Sequence, residues 1–447
     1  MPLSPSTPSR PGRPLVAAVA TALCLGAAGA AQASDARSIA LGGSIIADGR
    51  GVPGALANPA SLMDMKRRGQ RVHVGIGVSA DIRDEGGLIE LASDNEDLVD
   101  DTDEAIEAID LRQVSCIEPG ASAGTVCLDG LGELGSLTAR ALDLLNDLDD
   151  EPIAGQAGLD AGIAFTARNT PFAVHLQTRV TGRGRAIVSD GDRAYLDEFA
   201  RTLADGELTV GEINTGSQFA IERNALQVNQ ADEALDSDVE FGGVGRVTLG
   251  VSFATSFTVA GFGVDLGLTP KLSALIAQGI VSNIGEELND SVAGFEDQLE
   301  ASEVEDTSFT VDIGAATVLS VLPVRLAAVL RNAIGESIET EEGFEFETTP
   351  QLVVGGLFDL PGPIDLNADV ALNEADVDGL PTQPLALGAE FAIGPIVALR
   401  AGINHDAARR EEATALSLGL GLGPFAIGAR AASLDSTEIG AQLSFSF

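Results

Sequence analysis

The C-terminal segment Thr437 to Phe447 alternates between two kinds of side chain. Ile439, Ala441, Leu443, Phe445 and Phe447 fall on one face, and Glu438, Gln442, Ser444 and Ser446 on the other. A period of two requires extended backbone, because successive Cβ atoms of a strand point to opposite faces. This length, with one apolar and one polar face, suits a strand that crosses a membrane with its apolar side in lipid. Leu385 to Ile393, Glu412 to Leu422 and Val321 to Leu330 have the same small, apolar-rich style with noisier alternation. Lipid cannot hydrogen-bond a bare strand edge, so a sheet of such strands must close on itself.

The connections between these segments alternate in kind. Short ones carry glycine and proline: Leu322-Pro323, Leu360 to Pro363, Gly394-Pro395 and Gly423-Pro424. Longer, charged ones intervene: Gly335 to Glu347, Ala375 to Gln383 and His405 to Glu411. Short turns at the periplasmic rim and long loops outside are the habit of outer-membrane barrels. With further turns at Thr170-Pro171 and Thr269-Pro270, the count reaches 16 strands, or 14 given the ambiguous stretch from Gln218 to Ser282. The fold expected is all-β: a single antiparallel transmembrane β-barrel of 14 or 16 strands.

Residues 1–33 read as a secretory signal peptide. Arg10 and Arg13 supply the charged start, Leu15 to Ala30 the apolar run, and Ala31-Gln32-Ala33 the small-residue cleavage pattern before Ser34. No other stretch approaches 18 uninterrupted apolar residues, which excludes helical spans. The chain carries 67 acidic and 26 basic residues, a net charge of −41, which argues against nucleic acid as a partner. Acid concentrates from Asp81 to Glu151, with helical periodicity over Leu88 to Ile109 and Leu131 to Leu148, and again from Gly285 to Asp306. Such charge cannot face lipid, so both regions are expected as helical or loosely ordered loops. The division expected is a plug segment over 34–71 and a barrel over 72–447 with an acidic helical insertion at 83–157.

Cys116 and Cys127 remain after signal removal and read as a disulfide in an oxidising compartment, with metal binding the weaker alternative for want of a nearby histidine. Gly120-Ala121-Ser122-Ala123-Gly124 matches the nucleophile-elbow pattern, but no apolar strand leads into it, and the candidate bases His73, His175 and His405 lie in or beside strands. Gly75-Ile76-Gly77 sits in a strand-like run with no helix after it, unlike a dinucleotide site. Asp94-Asn95-Glu96-Asp97 lacks the glycine of a calcium loop. No enzyme, cofactor or metal site is therefore expected. Against the usual barrel pattern, the chain has no Trp and one Tyr, though 17 Phe.

Ala36-Arg37-Ser38-Ile39-Ala40-Leu41 leads to Gly42-Gly43, a tight bend, and Asn58 and Pro59 suit the cap and first position of a short helix running to about Lys66. This order, with Ala60-Ser61-Leu62 following, resembles the FadL-related barrels, whose N-terminal segment tucks into the lumen. Leu98-Val99-Asp100-Asp101 through Ile109-Asp110, Gly250 to Ala254 and Gly267 to Lys271 resemble the TraF-like conjugal-transfer proteins within that broader group. The resemblance implies a non-enzymatic outer-membrane barrel of a Gram-negative-type bacterium, a component of or accessory to conjugal transfer. The alternative it carries is a FadL-like channel for small hydrophobic molecules. Phe445 and Phe447 resemble the terminal signal read by the barrel-assembly machinery. Outer-membrane lipid and that machinery are the partners expected, with a small hydrophobic ligand under the alternative. Gly42, Gly43, Asn58, Pro59 and Ala60 are the plug residues singled out. The basic run Lys66, Arg67, Arg68 and Arg71 is expected to pair with acids on the wall or rim; a frayed tail is the alternative.

The cysteine reading is directly testable. Closing a loop of about 12 residues contributes on the order of 3 kcal/mol in the chain-entropy model. Mass spectrometry of protein purified without reductant should find Cys116 and Cys127 joined, and Cys116→Ser should leave the barrel's heat resistance unchanged.

Overall fold

In the computed structural model, the residues described are 35–84, 125–127, 131–149, 153–167, 170–203, 207–209, 219–222, 225–228, 236–259, 261–283, 301–319, 322–394, 396–409, 413–432 and 437–446. Fourteen strands form a closed antiparallel barrel. They are β1 (Val72–Asp84), β2 (Ile153–Ala167), β3 (Thr170–Ile187), β4 (Asp238–Val259), β5 (Phe262–Asn283), β6 (Val304–Leu319) and β7 (Val324–Arg331). The second half comprises β8 (Gln351–Asp359), β9 (Ile364–Ala371), β10 (Pro384–Ile393), β11 (Val397–Asp406), β12 (Thr414–Leu422), β13 (Phe425–Ala431) and β14 (Thr437–Ser446). Each strand pairs with its sequence neighbour, and β1 closes the ring on β14 with His73 opposite Ser446 and Ile82 opposite Thr437.

The larger of the two expected counts came from reading Thr269-Pro270 as a turn. Both residues instead lie inside β5, where Pro270 sits opposite Val311 of β6. Proline has no N–H to donate, and the ladder between β4 and β5 is interrupted at that level. A hydrogen bond between the Ser252 and Thr269 hydroxyls, 2.8 Å, bridges the gap. The turn between β4 and β5 falls at Gly261, whose φ of 87° suits glycine. Likewise Thr170 begins β3 rather than a turn.

The strand ends also extend into the stretches read as acidic loops. Asp81 to Asp84 complete β1, Ile153 to Ala157 begin β2, and Val304 to Asp306 begin β6. Leu131–Leu148 is a helix, α4 in chain order after three N-terminal helices, and it packs against α5 (Asp190–Leu203) in the connection from β3 to β4. The strand rhythm of the sequence had hidden α5. Leu88 to Ile109, Cys116 and Ser122 lie outside the described residues. Cys127 ends a short strand, Thr125–Cys127, paired with Glu207–Thr209.

Outward positions are apolar: Val74, Ile76 and Val78 on β1, Leu249 and Phe253 on β4, Ile439, Leu443 and Phe445 on β14. Phe257, Phe262, Phe358, Phe391, Phe425 and Phe445 gather on the outer surface near the short-turn rim. Phenylalanine there supplies apolar bulk at an interface that other barrels mark with Trp and Tyr. Inward positions are polar or small, with Gln156, Thr181, Ser252, Asp312, Glu390 and Glu438 all buried.

The lumen holds residues 35–68. Within them are α1 (Ala36–Ala40), α2 (Gly51–Ala57), a 3₁₀ turn (Pro59–Ser61) and α3 (Leu62–Arg67). Asp35 caps α1, accepting from the N–H groups of Arg37 and Ser38 at 3.0 and 2.9 Å. Gly42 and Gly43, with φ of 69° and 94°, turn the chain away. Asn58 caps the 3₁₀ turn through Ala60 N–H, and Pro59 opens it. Two apolar clusters anchor the segment: Ile46, Ala47 and Ala60 against Ala316, Ala327, Val329, Val353 and Ala371, and Val52, Leu62, Met63 and Met65 against Ala164, Ala173 and Ala254.

Close approach is possible because the facing wall is glycine. Gly388, Gly402, Gly419, Gly428 and Gly440, on five consecutive strands, lie beneath α1 and its following bend. A Cβ at Gly402 would stand 2.5 Å from the backbone nitrogen of Gly42, and one at Gly388 2.7 Å from the Leu41 carbonyl oxygen. Gly267 and Gly314 make the same allowance for Asn58, Pro59 and Ala60. A side chain on this floor would therefore force α1 off the wall. Gly428→Val should cost about 1–3 kcal/mol as overpacking and make residues 35–68 sensitive to limited proteolysis. Ala429→Val, one position along and facing outward, should leave proteolysis unchanged.

Candidate functional site

The contact between the lumenal segment and the wall is largely ionic. Arg37 pairs with Asp48 within the segment and with Glu390 of β10, 3.0 Å away. Arg50 pairs with Asp48 at 3.2 Å, with Asp365 of β9 at 2.6 Å, and with Glu390. Arg400 of β11 donates to the same Glu390 at 2.7 Å. Three guanidinium groups thus converge on one buried carboxylate. Further round the ring, Arg67 bridges Asp64 and Asp265 of β5, 2.6 Å from the latter, and Arg325 of β7 also pairs with Asp64. Ion pairs tie the segment to four strands, β5, β7, β9 and β10.

Neutral groups finish the attachment. Asn58 donates to the carbonyls of Ala315 and Ala328, each at 3.3 Å, reaching β6 and β7 together. Ile46 N–H donates to Asp369 at 2.9 Å, Val52 N–H to His73 Nδ1 at 3.1 Å, and Asn404 to the Gly42 carbonyl at 2.8 Å. Backbone groups of an irregular buried segment need such partners. His73 is thereby occupied as an acceptor. His175 is buried in β3, and His405 of β11 meets Thr414. The three histidines that could have served Ser122 stand apart in separate strands.

Above the segment, toward the long loops, the lumen stays charged. Arg246 of β4 pairs with Glu336 and with Asp378 at 2.6 Å, and Lys271 of β5 with Asp312 at 2.8 Å. Asp378, at φ 54°, forms the tip of a two-stranded ribbon (Ala375–Val377 with Leu380–Thr382) folded into the barrel. A second ribbon, Glu336–Glu339 with Glu345–Thr348, buries Ile338 and Phe346 against Val244, Leu275 and Ala277.

Of the basic run, Arg67 reaches the wall, and Arg68 lines a cavity at the short-turn rim. Arg37, Arg50, Asp48 and Glu390 were not singled out from the sequence. Their signal was available: a lone glutamate in the apolar run Leu385 to Ile393, opposite Arg400 in the next strand. Pairing across two strands is invisible until the register is known.

Electrostatics in the segment oppose one another. Burial would raise the Asp48 carboxyl, but Arg37 and Arg50 outweigh it and hold it below the ordinary carboxylate range. Burial pushes Asp35 up to about 6, with Asp160 adding to the rise. One Asp35 oxygen is buried without a hydrogen-bond partner. A carboxyl raised in the folded state binds its proton more tightly there. Its contribution to stability is thus best below pH 3.8, declines as pH climbs to about 6, and is constant above. Asp35→Asn keeps the cap and removes the buried charge. It should stabilise the docked segment at pH 7.5, by on the order of 3 kcal/mol at most, and change little near pH 4, read as protease protection. Glu390→Gln should cost about 3–5 kcal/mol, since it strands buried guanidinium groups.

Known proteins offer several points of comparison. The toluene transporter TbuX of Ralstonia pickettii superposes with a TM-score of 0.44 at 11% identity, over 93% of this chain and 98% of its own. The toluene transporter TodX of Pseudomonas putida gives 0.43 at 11%, over 94% and 99%. The outer membrane protein Omp33 of Acinetobacter baumannii gives 0.26 at 11%, over 62% and 96%. No curated protein matches the sequence. Residues 55–366, more than half of the 447, match the family described as F plasmid transfer operon, TraF, protein. The chain belongs to this TraF family, and it folds as a closed antiparallel β-barrel with an apolar outer surface.

Proposed function

We propose that the protein is a sealed, non-enzymatic structural or accessory component of the conjugal-transfer apparatus, with residues 34–71 as its plug. The observation that carries this reading is the attachment of the lumenal segment to four strands, at Asp265 of β5, Arg325 of β7, Asp365 of β9 and Glu390 of β10. A segment retained only as a tail would have no use for charges buried at such desolvation cost. In this reading the chain is exported by a signal cleaved before Ser34, inserted by the barrel-assembly machinery through its terminal strand, and bounded by lipid in a Gram-negative-type outer membrane. Neither nucleic acid nor a cofactor is required.

The alternative, uptake of small hydrophobic molecules, calls for an apolar path. The lumenal cavities instead carry Arg246, Lys271, Asp312 and Glu336 on one side, and Arg83, Arg430 and Glu438 on another. An apolar solute gains nothing from such walls, so the sealed reading is preferred.

Planar-bilayer conductance tests it. The full mature protein should be nearly silent, and a version lacking Ser34 to Asn58 should conduct, since a barrel of this strand number leaves a lumen when emptied. Equal conductance of the two would remove the plug from the account.

A further inference from the structure

At the short-turn rim, between the lumenal segment and the wall, lies a cavity of about 200 Å³. Its lining includes Arg37, Arg50, Arg68 and Arg400, against two carboxylates, Asp35 and Asp48. Four guanidinium groups around one space are notable in a chain of net charge −41. Glu390 and Asp365 lie behind the lining on the wall, where they engage Arg37, Arg50 and Arg400. With Asp35 and Asp48 these make four carboxyl groups beside four guanidinium groups, and it is the pairing, not the sum of charges, that leaves donors over.

Two donors are left over. The Arg68 guanidinium has no hydrogen bond or ion pair among the described residues, and it stands near both signs of charge, Arg50 and Arg37 on one hand and Asp48 and Asp365 on the other. The Arg400 side chain is 8% exposed, and its Nη1 is buried with no hydrogen-bond partner, while its Nε serves Glu390. The unpaired donor is costly at buried Arg400, Arg68 is open to solvent, and guanidinium forks match the oxygens of carboxylate and phosphate. The space has room for several waters, since one occupies roughly 30 Å³, or for one small oxyanion.

We propose that this cavity is a binding site for a small, multiply charged oxyanion of the phosphate or dicarboxylate class, entering from the short-turn side and held chiefly by Arg68 and Arg400. The anion takes up the donors left over beside the Arg37–Arg50–Glu390 cluster and so links the plug to the solute composition at that rim. Cations and apolar molecules alike would leave the donors unpaired.

The experiment is isothermal titration of the full mature protein in uncharged detergent, with inorganic phosphate and succinate in separate arms, against chloride at equal ionic strength. Saturable binding is expected in at least one of the two arms and not with chloride; which arm responds identifies the oxyanion. Arg68→Gln, at an exposed and unpaired position, should weaken binding at least tenfold while leaving heat resistance on gels unchanged. Arg201→Gln, on exposed α5, should bind as the parent does. Absence of saturable binding in both arms, or equal affinity in Arg68→Gln, would overturn the proposal.

Discussion

Everything in this molecule follows from the requirement that no strand edge face lipid. Backbone N–H and C=O groups in a bilayer must find partners within the protein, and the pairing of β1 with β14 supplies the last of them. That single seam fixes the antiparallel ring and places both ends of the barrel chain at the short-turn rim. It also brings the preceding segment to the mouth, because Arg68 to Arg71 lead straight into β1.

Closure with fourteen strands creates a second problem, an interior too wide for wall side chains alone to fill. The answer is an interior of opposite character to that of a soluble protein. Apolar groups cover the outside, while charged and glycine positions face inward. The glycines of β10 to β14 remove Cβ atoms where α1 lies, so that backbone approaches backbone. The guanidinium and carboxylate groups then lock the segment laterally. Removing either element alone leaves the other misplaced, since ion pairs of 2.6–3.2 Å depend on where the helix rests.

The same logic separates the two ends of the lumen. Toward the long loops, the ribbons bearing Asp378 and Phe346 fold inward and are satisfied by Arg246 and by an apolar pocket. Toward the short turns, the cluster around Glu390 leaves donors unspent. At the long-loop end most charges are thus paired by the protein's own groups around small cavities, while the short-turn end retains capacity for an anion.

The alternation of Thr437 to Phe447 and the spacing of glycine-proline turns were enough to establish a closed antiparallel barrel, because period and turn chemistry are local properties. Gly42-Gly43 and Asn58-Pro59 likewise disclosed bend and cap, each set by its own backbone. The strand count was open by two, since Thr269-Pro270 looks like a turn until its partners on β4 and β6 are seen. Helix α5 was hidden by neighbouring strand rhythm. What only the tertiary structure decided was the identity of the lock. Arg37 and Arg50 precede Asp365, Glu390 and Arg400 by more than 300 residues, and Glu390, the lone glutamate of its apolar run, does not by itself name its partners. Their meaning arises from register and from which face of each strand points inward, and those are fixed only when the whole ring closes.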